Sequence, residues 1–152
     1  MAKFIYRMQS ILDIKYKLEE QAKQQYMAAQ GRVREAEHEL DLLQHRKEDY
    51  IEMYRVLLME RLDVLEIENC KNAIYIIDEY VVNQQKVVKR LESELENAAI
   101  AMNEAMKERK IYEKLKENQF EEFLKELNEE EMKEIDQLIS YQYNDVEKER
   151  EE

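Results

Sequence analysis

The 152-residue sequence predicts an all-α fold: a long antiparallel two-helix coiled-coil hairpin with an overhanging acidic C-terminal helix or tail. Three observations carry that expectation. The chain has no Pro, a single Gly and 39% charged residues, so it lacks the commonest helix terminator and is rich in strong helix formers. From Ile67 to Ala105 a stripe recurs at steps of 3, 4, 3, 4: Ile67, Cys70, Ile74, Ile77, Val81, Gln84, Val88, Leu91, Leu95, Ala98, Met102, Ala105. Only Gln84 in it is polar, and an a/d heptad held this long buries a narrow seam against another helix. The third observation is a second stripe upstream, Val33, Ala36, Leu40, Leu43, Lys47, Tyr50, Tyr54, Leu57, that mirrors the first about one point. Leu57 and Ile67, Leu43 and Val81, and Val33 and Leu91 all have residue numbers summing to 124, so one reversal of the chain sets seam against seam.

Helix 1 is expected over about residues 3–60. Carrying the mirror toward the N-terminus places Ala29, Tyr26, Ala22 and Leu18 opposite residues 95–106 of the second helix. The steps 18, 22, 26 form a stutter, which locally unwinds a supercoil. Ile11, Met8 and Phe4 then face residues near 112–120, with Phe4 meeting Phe120 and Lys15 set against Arg109 as a like-charge mismatch. Gly31 opposite Ser93 makes a small pair that would allow close approach.

The turn is expected at about 60–63, on the mirror point. Asp63-Val64-Leu65-Glu66 has capping-box spacing, and Arg61 just before it suits the C-terminal end of a helix dipole. A straight helix that dimerises is the competing arrangement. Helix 2 should run over about 64–139, with a partial apolar stripe beyond residue 120 (Phe123, Leu127, Met132, Ile135, Leu138, Ile139), and residues 144–152 are polar enough to expect disorder.

Charge is uneven. Residues 1–62 carry 11 basic and 11 acidic side chains, so the whole net charge of −12 falls in residues 63–152. Residues 1–34 have 7 basic and 3 acidic residues, whereas 117–152 have 4 and 14. Antiparallel folding sets these opposite ends side by side, an attraction that salt screens.

These features exclude most chemistry. One Gly cannot build a phosphate-cradling loop. His38 and His45 share a helix face but lie ~10 Å apart, too far to chelate one ion by themselves. Glu129–Glu131 reads as a solvated charge run, and Cys70 as a seam hydrophobe rather than a nucleophile. A pI near 4.8 disfavours nucleic acid. With one cysteine, no apolar stretch of ~20 residues and no apolar signal region at the N-terminus, a cytoplasmic protein without membrane insertion is expected. No enzyme, cofactor or metal site is expected. Function must then lie in surfaces, and the 10 Tyr and 8 Met supply contact area. Tyr16, Met53, Met59, Tyr75, Tyr80 and Val82 lie off the seam, and Met53, Leu58, Met59, Leu62 and Leu65 cluster near the turn.

The opening Phe4-Ile-Tyr-Arg-Met-Gln-Ser-Ile-Leu-Asp-Ile-Lys15, followed by Lys17 and Glu19-Glu20-Gln21-Ala22-Lys23, resembles the start of FliJ proteins. Asn83–Val87, Glu104–Lys110 and Glu113–Lys116 are similar too, so the resemblance spans nearly the whole chain. It implies a cytoplasmic component of the flagellar type III export apparatus, peripheral to the membrane. Such proteins are antiparallel coiled coils like the central stalk of rotary ATPases. They insert their joined helix ends into the pore of the FliI-type ATPase hexamer, contact the FlhA-type export gate and escort unloaded export chaperones. At those ends the basic side chains of this sequence are Arg7, Lys15, Lys17, Arg109 and Lys110. The positions matching the family's gate contacts are Leu43, Tyr50 and Ile77, while Glu39, Arg46 and Gln84 depart from the family pattern at neighbouring sites. A coiled-coil scaffold or a prefoldin-like chaperone subunit is the alternative.

Overall fold

A computed structural model describes residues 2–60 and 63–151. Two helices account for nearly all of them: α1, Gln9–Met59, and α2, Val64–Glu151. They pack against each other as a helical hairpin, and the described residues contain no strand. Packing divides the chain into two units, Leu18–Ala105 and Met1–Lys17 with Met106–Glu152.

In the unit Leu18–Ala105 the seam follows the heptad. Ala29, Val33, Ala36, Cys70, Ile77, Val81 and Val88 are buried, and every other seam position predicted between Val33 and Leu57 and between Ile67 and Ala105 is at least half-buried. Cross-helix pairs confirm the antiparallel register: Lys47 with Asp78 sums to 125, and the Cys70 thiol donates to the Tyr50 carbonyl at 3.5 Å, a sum of 120. The polar seam residues are all provided for. Gln84 Nε2 donates to the Ala36 carbonyl at 3.0 Å, and Lys47 lays its stem in the seam while its ammonium reaches the Asp78 carboxylate. Glu19 is 5% exposed, with Lys23 Nζ 3.6 Å away, one turn along the helix.

Glu19 marks a correction. The stripe on α1 is Leu12, Lys15, Glu19, Ala22, Tyr26, Ala29, Val33, an unbroken alternation of 3 and 4 with no stutter. Leu18, Ile11 and Met8, expected in the seam because they are apolar, are exposed. The heptad geometry outweighs the local hydrophobicity: with Leu12 and Val33 buried, Glu19 lies seven and fourteen residues from them and falls on the same stripe, whereas Leu18 sits ~120° around the helix from Leu12. Gly31 and Ser93 are likewise exposed and do not form the expected close pair; a Cβ on Gly31 would meet nothing within 4 Å.

Asp63 caps α2. Its carboxylate accepts the Leu65 N–H at 3.1 Å and its carbonyl accepts the Ile67 N–H at 3.1 Å, with Glu66 in the first turn where the helix dipole favours an anion. The expected contributions of Arg61 and Leu62 lie outside the described residues.

In the unit Met1–Lys17 with Met106–Glu152, helix begins later than residue 3. Residues 2–6 are irregular and 7–8 form a turn, which the Gln9 N–H closes on the Tyr6 carbonyl at 3.1 Å. An irregular segment reaches farther per residue than a helix, ~3.3 against ~1.5 Å when extended. Phe4 thereby packs its ring on Phe120 at 5.2 Å, the expected partner, and on Phe123 at 5.5 Å. At the other end α2 continues past the expected limit near 139 to Glu151, and residues 128–151 are exposed throughout.

Two outcomes test this register. Leu12→Ala should cost about 2–4 kcal/mol, because Leu12 is 2% exposed and its loss leaves a gap. Leu18→Ala should cost well under ~1 kcal/mol; urea unfolding of the two variants checks the difference. Gly31→Ala should raise stability by up to ~1 kcal/mol, since the added methyl meets no neighbour and Ala is the better helix former.

Candidate functional site

The predicted cations gather in the unit Met1–Lys17 with Met106–Glu152, and the structure sorts them into two kinds. Lys15 and Arg109 are half-buried and engaged. Lys15 Nζ donates to Glu108 at 2.7 Å and stands over the Tyr112 ring at 5.7 Å. The hydrogen bond to Glu108 holds the Lys15 ammonium above the ordinary lysine range. Arg109 donates to Glu113 at 2.8 Å, one helical turn away, and its guanidinium lies 5.9 Å from the Tyr16 ring centre. The Tyr16 hydroxyl donates to the other oxygen of the same Glu113 carboxylate. The expected clash of Lys15 with Arg109 is therefore resolved by giving each its own carboxylate. Pairs of this kind on a partly solvated surface stabilise by ~1 kcal/mol or less each.

Arg7, Lys17 and Lys110 are exposed. The unit they belong to is held together by other groups: the Phe4–Phe120–Phe123 ring cluster, the buried Tyr6, whose hydroxyl donates to the Tyr112 carbonyl at 3.0 Å, and Leu12. A groove of about 400 Å³ lies beside this cluster, lined by residues that include Phe4, Leu12, Tyr16 and Phe120. What this surface offers a partner is exposed cations and aromatic edges. Sequence reading missed Tyr6, Glu108 and Glu113, and gave Tyr16 only as an off-seam contact side chain. The i, i+4 spacing of Arg109 and Glu113 was the signal for that pair; the cross-helix bonds of Tyr6 and Tyr16 had no local signal at all.

A family model described as flagellar FliJ protein matches residues 4–148. The chain belongs to the flagellar FliJ family. As a FliJ-family chain it is a component of flagellar protein export. No curated protein matches it. A solved structure, described as that of a proposed YscO homolog from Chlamydia trachomatis, shares 22% identity over 93% of this chain and 96% of its own. Its TM-score is 0.47, a likeness too weak to carry an inference.

Of the three residues expected from the family resemblance to meet the gate, Ile77 is buried, whereas Leu43 and Tyr50 are half-buried. Off the seam of this FliJ-family chain, Tyr75, Ile76, Tyr80 and Val82 stand exposed along α2. No helix among the described residues is long and apolar enough to cross a membrane, and none of them form a group of three or more His, Cys, Asp or Glu suited to a metal ion.

His45 carries the clearest titration. Its Nδ1 lies 2.8 Å from the Asp41 carbonyl and 3.5 Å from the Asp41 carboxylate. The backbone hydrogen bond first, and then the negative charge of Asp41, with smaller help from Glu48 and Asp49, raises the imidazole above the ordinary histidine range. A raised folded-state value means that the contact contributes stability in full below the unfolded pKa of ~6.5 and loses it as pH rises through the folded value. In an NMR titration the His45 midpoint should lie above 6.5, and Asp41→Ala should lower it only partway, because the backbone carbonyl remains.

Proposed function

We propose that this chain is the stalk-like, non-enzymatic component of the flagellar export machinery, and that its ends, in the unit Met1–Lys17 with Met106–Glu152, seat in the pore of the FliI-type ATPase hexamer. In the same reading it contacts the FlhA-type export gate and unloaded export chaperones, at the cytoplasmic face of the membrane. Membership of the FliJ family supports this. The observation that carries the ATPase contact is the division among the cations. Arg7, Lys17 and Lys110 are exposed in a unit whose aromatic cluster packs without them, so they are available to acidic groups on a ring, whereas Lys15 and Arg109 are engaged with carboxylates of the chain itself. For the gate, Leu43 and Tyr50 offer accessible edges, and Ile77 acts through seam packing.

Reversing Arg7 and Lys17 together to Glu should abolish stimulation of a flagellar ATPase while far-UV circular dichroism keeps its helical amplitude. Lys15→Ala should instead lower the melting temperature. Full stimulation by the double variant would move the contact elsewhere, and failure of the native chain to bind any flagellar ATPase would favour the scaffold alternative.

A further inference from the structure

Beyond residue 127 the helix α2 carries a short heptad stripe of its own, out of phase with Phe123 and Leu127, and leaves it uncovered. Met132, Ile135, Ile139, Gln142 and Val146 follow the steps 3, 4, 3, 4. The four apolar members of that stripe are 51–69% exposed, and every residue from 128 to 151 is exposed. An amphipathic helix with this pattern buries its stripe when a second helix lies against it.

The side chains that flank the stripe decide which helix. Taking Met132 and Ile139 as a positions, the e and g positions from 129 to 145 are Glu129, Glu131, Asp136, Leu138, Tyr143 and Asp145. Four are acidic and none is basic. A second copy of this chain would place acid against acid in either orientation, since parallel pairs set g against e and antiparallel pairs set like positions together. The chain's own basic N-terminal segment is committed elsewhere, with Phe4 packed on Phe120 and Phe123. The same region of sequence, 117–152, carries 4 basic and 14 acidic residues, so the surrounding field also attracts a cation-rich partner.

We propose that this face of α2 docks an amphipathic helix of another protein whose apolar stripe is flanked by Lys or Arg. The apolar stripe supplies the affinity, and the acidic flanks supply the choice of partner and the rate of encounter. The inference is independent of the ATPase reading, because it uses none of Arg7, Lys17 or Lys110.

The test measures binding of two three-heptad synthetic helices to the full chain by fluorescence anisotropy. Both peptides carry Leu at their seam positions; one has Lys at every flanking position and the other has Glu. The Lys peptide should bind and the Glu peptide should not, and the affinity of the Lys peptide should fall as salt rises. Ile135→Ala with Ile139→Ala, which keeps helix propensity, should weaken it about tenfold or more. Glu131→Lys with Asp136→Lys, which leaves two acidic and two basic flanking positions, should erase the preference for the Lys peptide. Binding of the Lys peptide that survives both double variants would overturn the proposal, as would no binding to the native chain. Sedimentation showing a dimer that the two isoleucine substitutions abolish would assign the face to a second copy instead.

Discussion

The structure depends on how little two helices can bury. Each helix of a pair presents one stripe to the other, so seam positions must supply nearly all the apolar contact, with no sheet or third helix to share it. Small and branched side chains therefore hold the unit Leu18–Ala105 together, with Ala29, Val33, Ala36, Cys70, Ile77, Val81 and Val88 buried in it. That constraint also explains how polar residues survive at seam positions. Lys15, Glu19, Lys47 and Gln84 fall on the stripe because the heptad places them there. A two-helix seam is thin enough for long side chains to reach its edge, so Lys47 meets Asp78, Lys15 meets Glu108 and Gln84 finds a backbone carbonyl. Such contacts add little net stability but penalise any slip in register, which would strand a charge or amide among apolar groups.

In the unit Met1–Lys17 with Met106–Glu152 the packing changes character. Aromatic rings replace the small seam residues, and a tyrosine hydroxyl bonded to a helix carbonyl fixes the segment before α1. Rings give more contact area per residue than aliphatic side chains. The end is thus closed by Phe4, Tyr6, Leu12, Phe120 and Phe123, without recruiting Arg7, Lys17 or Lys110. The residues that hold this end together are distinct from the cations left exposed in the same unit. The acidic C-terminal part of α2 shows the same separation in another form, with an apolar stripe and a single sign of charge beside it.

By itself the sequence determined the helical hairpin, its antiparallel sense and its register from Val33 to Ala105. All of these follow from a periodicity that repeats over many turns, where one misplaced residue cannot mislead. It also determined the partnership of Phe4 with Phe120, since the mirror reaches that far. Only the tertiary structure decided the register at the N-terminal end of α1. There Leu18 is more hydrophobic than Glu19, and local hydrophobicity points to the wrong side chain; the buried choice is set by helix pitch inherited from the long regular stripe. Only the structure, too, divided the candidate cations. Arg7, Lys15, Lys17, Arg109 and Lys110 are alike as residue types, and what distinguishes them is whether a carboxylate on the same or the facing helix comes within reach. For Lys15 that carboxylate is Glu108, distant in sequence and adjacent only once the chain has folded back.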